Sequence, residues 1–201
     1  MKRHSHGRSR DALRYNILYI AALSLILLSC GLFDTRDPED PLTDNQSLPQ
    51  ATSPSMLLTN FTTAFHQKNI NEYAKLFTDS SFRFVPTQSA FARYGAVFFS
   101  WKSMNETDYF RNAITEIGEQ SSPQLSFSTV SSVQFQSDSA AYTLDYVLFI
   151  PHSRSSTKQF TGRSELYLAP NKNNIWTIYR WVDFETKKDS SWSEFKGQFT
   201  K

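Results

Sequence analysis

Cysteine occurs once in the 201 residues, at Cys30, so no internal disulfide can staple this chain. Histidine is nearly as scarce: beyond Cys30 only His66 and His152 remain, and two distant imidazoles do not make a metal site. Glycine is found six times, never in the clusters that a phosphate loop, a dinucleotide fingerprint or a serine elbow needs. Gly162 and Gly197 stand alone and read as a strand bend and a terminal turn. These absences weigh against metallohydrolase, nucleotide-binding and serine-hydrolase chemistry, and no cofactor is expected. They leave open a small proton-transfer site.

What the chain has in abundance is positive charge and apolar bulk at its beginning. Lys2, Arg3, Arg8, Arg10 and Arg14 precede an apolar run from Ile17 to Leu28, which Cys30, Gly31 and the acidic stretch 34–40 cut off before it reaches membrane-spanning length. The phrase Leu27-Leu28-Ser29-Cys30 resembles the lipobox of bacterial lipoproteins. That resemblance implies cleavage between Ser29 and Cys30, a thioether lipid on Cys30, and a membrane as partner. Gly31 in place of aspartate implies the outer membrane of the bacterial envelope, facing the periplasm. The charge balance agrees with export. Five of the 21 basic residues and one of the 19 acidic ones lie in 1–29, so the remaining 172 residues carry a net −2. No basic tract survives to suggest a nucleic-acid partner.

Three segments follow: a signal peptide over 1–29, a lipidated flexible tether over 30–55, and a folded domain over 56–201. The tether is rich in Asp, Pro, Ser, Thr, Asn and Gln and too poor in apolar groups to offset the entropy of ordering. In the domain, Met56, Leu57, Phe61, Ala64 and Phe65 recur at helical spacing after Ser53-Pro54. A second helix is expected from Asn71 through Phe77, a short strand over 81–85, and a third helix from Asn105, stopped by Gly118. The aromatic segment 91–101 is ambiguous. Beyond Pro123 the period becomes two. One long or bulged strand is expected over 125–135, with others over 140–150, 158–168 and 176–184; the turns fall at 137–138 and 170–174. Trp192, Phe195 and Phe199 predict a short terminal helix packed on the sheet or over one end of a pocket.

The stretches Phe61-Thr-Thr-Ala-Phe65, Asn71-Glu-Tyr-Ala-Lys-Leu-Phe77 and Phe82-Arg-Phe84-Val85-Pro86, with the closing strand Ile175–Trp181, resemble the NTF2-like superfamily over roughly residues 56–186. This is the SnoaL and steroid-isomerase type of cone, which nuclear transport factor 2 and scytalone dehydratase share. A set of bacterial lipoproteins without assigned activity is similar at Cys30-Gly31, Thr35–Glu39, Trp181–Phe184 and Ser191–Lys196. The resemblance implies an α+β fold in which a curved antiparallel sheet wraps around N-terminal helices. It also implies homodimerisation through the outer sheet face.

Such a cone can enclose a pocket, and its polar candidates are Asp145, flanked by Tyr142 and Tyr146, with Arg163, Glu165 and Arg180 on neighbouring strands. A solvated cross-strand pair is the plainer reading of these charges. Phe98, Phe99, Trp101 and Trp192 are recognition aromatics if exposed and core if buried. No catalytic residue is assigned. The expectation is a non-catalytic binding or assembly module for a small molecule or an envelope protein. The alternative is a cavity isomerase, dehydratase or hydrolase acting on a small hydrophobic molecule through Asp145 and a tyrosine.

Overall fold

Ser53 adopts an extended backbone, its Oγ accepts the amide of Met56 at 3.2 Å, and Pro54 supplies a preset helical φ; together they start α1 (Pro54–His66). The computed structural model describes residues 47–78, 81–118, 120–135 and 138–200. The signal segment, Cys30 and the lipobox lie outside the described residues, as does part of the 137–138 turn. Packing begins upstream of Met56. Asn60 Nδ2 donates to Pro49 O at 2.7 Å and Trp176 N to Ala51 O at 2.8 Å, so residues 47–52 form a docked strap with Ala51 buried.

The elements continue as α2 (Ile70–Ala74), β1 (Arg83–Val85), α3 (Gln88–Phe98), α4 (Ser103–Thr115), β2 (Gln124–Phe135), β3 (Ser139–Phe149), β4 (Gln159–Pro170), β5 (Trp176–Glu185) and α5 (Trp192–Gln198). Helix α2 starts two residues earlier than an Asn71 cap requires, because Asn69 Oδ1 takes the amide of Glu72. Helix α4 likewise begins before Asn105, whose Oδ1 reaches back to Lys102 N at 3.0 Å. The ambiguous 91–101 segment is helical as far as Phe98, in a helix capped by Thr87 Oγ1 on Ala90 N and kinked at Tyr94.

The sheet order is β1-β5-β4-β3-β2. Four strands form the expected antiparallel meander, whereas β1 pairs with β5 in parallel, so the sheet is mixed. A register shift between Thr129 and Ser131 confirms the bulge in the first long strand. The concave face presents Leu144, Tyr146, Leu148, Phe160, Leu166, Leu168 and Trp181, all buried. Helix α1 packs on this face through Phe61, whose ring meets Phe77, Phe127 and Trp181 edge-on at 5.4–6.1 Å. Aromatic rings therefore fill the cone, and the N-terminal helices and α5 close it. Among the described residues, no helix is long and apolar enough to cross a membrane.

Candidate functional site

The sequence candidates divide between the two faces of the sheet. Asp145 pairs with Arg163 in register and accepts from its Nε at 2.7 Å, but both side chains are more than 40 % exposed on the outer face. The guanidinium holds the Asp145 carboxyl below its ordinary value. Glu165 accepts from Tyr167 OH on that same face, and Arg180 lies over the Tyr167 ring at 5.3 Å. Asp145, Arg163, Glu165 and Arg180 thus do not line the interior, because successive strand residues point to opposite sides and Tyr146 takes the inner one. Tyr142 shares the Tyr146 side and is partly buried against the core. Of the aromatics, Phe98, Trp101 and Trp192 are core, and Phe99 alone is exposed, at 86 %.

His66 joins two elements: Leu125 N donates to its Nε2 at 2.9 Å, fixing the start of β2 to the end of α1. His152 is buried against the ring edge of Phe199, its Nδ1 has no partner, and burial lowers its pKa. Among the described residues, neither histidine has a carboxylate hydrogen-bonded to it. Among the described residues no group of three or more His, Cys, Asp or Glu side chains is placed to hold a metal.

The interior holds a different constellation, built around α5. Lys196 and Glu106 are fully buried, with Nζ and Oε2 2.7 Å apart. Glu106 is held from two further sides. Trp101 Nε1 donates to Oε2 at 2.7 Å, and Tyr73 OH donates to Oε1 at 2.9 Å. Since the Tyr73 proton is committed to the carboxylate, Tyr109 donates to Tyr73 at 2.8 Å and accepts from Trp192 Nε1 at 3.0 Å. Burial and the Glu106 charge push both tyrosines well above their ordinary pKa. The Lys196 ammonium also lies 3.6 Å from the ring centroids of Phe84 and Trp181, with Tyr109 and Trp101 at 5.2 and 5.6 Å. Its pKa is lowered to about 8 by burial, against the pull of Glu106.

A second buried carboxylate orients the helix. Asp183 accepts from Ser193 N at 2.7 Å, Ser193 Oγ at 2.6 Å and Tyr146 OH at 2.8 Å. Tyr146 OH in turn accepts from Trp192 N at 2.6 Å. Burial pushes the Asp183 carboxyl up to about 6 despite these donors. Gly162 makes room for this arrangement: a Cβ there would stand 2.3 Å from Tyr146 OH and 2.7 Å from the Phe184 carbonyl.

Sequence reading picked out Tyr146 and Trp192 but missed Glu106, Asp183 and Lys196. Lys196 follows Phe195 in a polar tail and reads as a solvated charge. The only available signal was its place one residue beyond the Trp192–Phe195 apolar face. Two surface clefts accompany the filled interior. One of about 790 Å³ lies under the strap by Leu48, Leu57, Phe77 and Trp176; one of about 650 Å³ surrounds His66, Gln124 and Phe149. Neither is lined by Glu106, Asp183 or Lys196.

No protein-family model and no curated protein sequence matches this chain. Solved structures do. A provisionally assigned aromatic ring hydroxylase from Novosphingobium aromaticivorans is similar at 11 % identity and a TM-score of 0.52, over 66 % of this chain and 86 % of that one. A conserved protein from Planctomyces limnophilus is similar at 9 % identity and a TM-score of 0.52, over 64 % and 89 %. A protein of the NTF2-like superfamily from Salmonella enterica is similar at 11 % identity and a TM-score of 0.49, over 66 % and 88 %. Identities this low speak to the fold and leave activity to the site. What the chain shares with these structures is its α+β fold, a curved sheet wrapped around N-terminal helices.

Proposed function

We propose that this chain is a lipid-anchored protein of the bacterial envelope whose cone serves as a non-catalytic binding or assembly module. The observation that carries this reading is the filled interior. Trp192, Phe195 and Lys196, all buried completely, stand where a substrate would have to sit. While α5 stays in place, recognition falls to the surface. On the outer sheet face Val147, Phe149 and Phe184 are about two-fifths exposed around the Asp145–Arg163 pair, and an envelope partner or a second copy would use this face. The lipid anchor rests on the Leu27–Cys30 phrase and the basic, apolar segment before it.

One observation favours the second reading, a cavity enzyme for small hydrophobic molecules. Asp183 is an interior carboxyl pushed up to about 6 by burial, with Tyr146 OH donating to it at 2.8 Å, a pair suited to proton transfer. The two readings separate in one experiment. The purified chain and its Asp183→Asn variant are incubated with small-molecule extract of the native cells. The module reading expects no compound to be consumed. A compound consumed by the parent and not by the variant overturns it in favour of the enzyme. In parallel, radioactive fatty acid is expected to label the parent chain and not Cys30→Ala; equal labelling overturns the anchor.

A further inference from the structure

The surroundings of Lys196 have the form of a receptor. An ammonium that only needed charge compensation inside a protein would be served by a carboxylate. This one meets two ring faces at 3.6 Å in addition, with two more rings at its flank. Glu106, the carboxylate, is held independently of the lysine by Trp101 Nε1 and Tyr73 OH, so it is oriented before any cation arrives. The five walls come from β1 (Phe84), the approach to α4 (Trp101), α4 itself (Glu106, Tyr109) and β5 (Trp181). None comes from α5. That helix brings the cation, with Trp192 and Phe195 bracing Trp181 and Tyr109 from outside the cage, on a seven-residue element joined to β5 through the exposed residues 186–188. Aromatic faces around a carboxylate select a desolvated cation over a neutral group of equal size, because the ring quadrupoles and the fixed charge both favour the ammonium.

We propose that Phe84, Trp101, Tyr109, Trp181 and Glu106 form a binding site for a primary alkylammonium group, which the chain fills with its own Lys196, and for which α5 is the tethered competitor. This rests on the binding-module reading and gives it a ligand class: an amine-bearing molecule, presented free or as a lysine side chain. The cleft under the strap and the outer sheet face are separate from it.

The test removes the internal cation and offers one from outside. Lys196→Ala deletes the atoms of a propylammonium ion, so propylammonium is the probe and 1-propanol its neutral counterpart. In the full-length chain carrying Lys196→Ala, propylammonium is expected to shift the fluorescence of the caged tryptophans saturably. It should raise Tm by about 5 °C at roughly 100 times its Kd, an effect that propanol lacks. If Lys196→Ala is unfolded at rest, the same titration reads recovery of the folded emission. Adding Glu106→Gln to the variant is expected to abolish the response. A response to propylammonium alone assigns free amines; a further response to Nα-acetyl-lysine amide extends the class to lysine side chains. No response, an equal response to propanol, or a response that survives Glu106→Gln overturns the proposal. That failure differs from failure of the module reading, which is read by consumption of a compound.

Discussion

At the scale of single residues, the cost of the interior is concentrated in two carboxylates and one ammonium that water cannot reach. Asp183 is the clearest case, since four hydrogen bonds converge on its carboxylate and its Tyr146 neighbour, yet burial still raises its pKa from 3.8 to about 6. A raised folded-state pKa adds stability that is complete below the unfolded pKa and lost as pH rises through the folded one. Chemical denaturation should therefore show the stability of the parent chain, relative to Asp183→Asn, declining between about pH 4 and pH 6 by on the order of 3 kcal/mol. A flat difference across that window contradicts the burial of Asp183 as a charge. The sequence shows little of this, because a lone aspartate in an alternating strand gives its face and not its neighbours. Asp145 adjoins Tyr146 and so takes the opposite face of an unbroken strand, but parity along a chain does not say which face is inside, since one bulge reverses it; the structure sets Asp145 outside. The glycines were legible only as irregularities. Neither Gly162 nor Gly197 has positive φ, and both serve close approach, to Tyr146 and Tyr94 respectively.

Among the elements, the helices and strands follow the periodicity closely, and α5 is where pattern and role part. The spacing of Trp192, Phe195 and Phe199 announces a helix against the core, and all three are fully buried. What spacing could not show is that the helix enters the cone and carries a charge with it. The partners of that charge, Glu106 and the rings of Phe84, Trp101 and Tyr109, lie far away in sequence, and only Trp181 is on the neighbouring strand. Removing one member of a buried pair strands the other. Lys196→Met is therefore expected to cost about 3–5 kcal/mol of unfolding free energy, and Lys196→Met with Glu106→Gln to recover most of the loss. If the double variant is no more stable than the single one, Glu106 is not the buried partner of Lys196. The edges of α2 and α4 were misjudged by two residues for a common reason: an asparagine side chain can cap the helix it precedes or reach back from inside its first turn. The parallel pairing of β1 with β5 was invisible for another, since a three-residue strand carries no signal of its direction.

For the molecule as a whole, the concave side of the sheet is closed by α5, whose Trp192, Phe195 and Lys196 are completely buried. That closure is the claim on which both the module reading and the ammonium site depend. Its most direct test is proton-detected nitrogen NMR of the lysine ammonium groups in the folded chain at pH 7, with Lys196→Arg to assign the signal. Ammonium protons of exposed lysines exchange with water too fast to be seen. Lys196 is expected to give a visible, slowly exchanging ammonium whose neighbouring ε-methylene protons are shifted upfield by the Phe84 and Trp181 rings. A Lys196 ammonium that exchanges like the others, with unshifted ε protons, would contradict the closed cone.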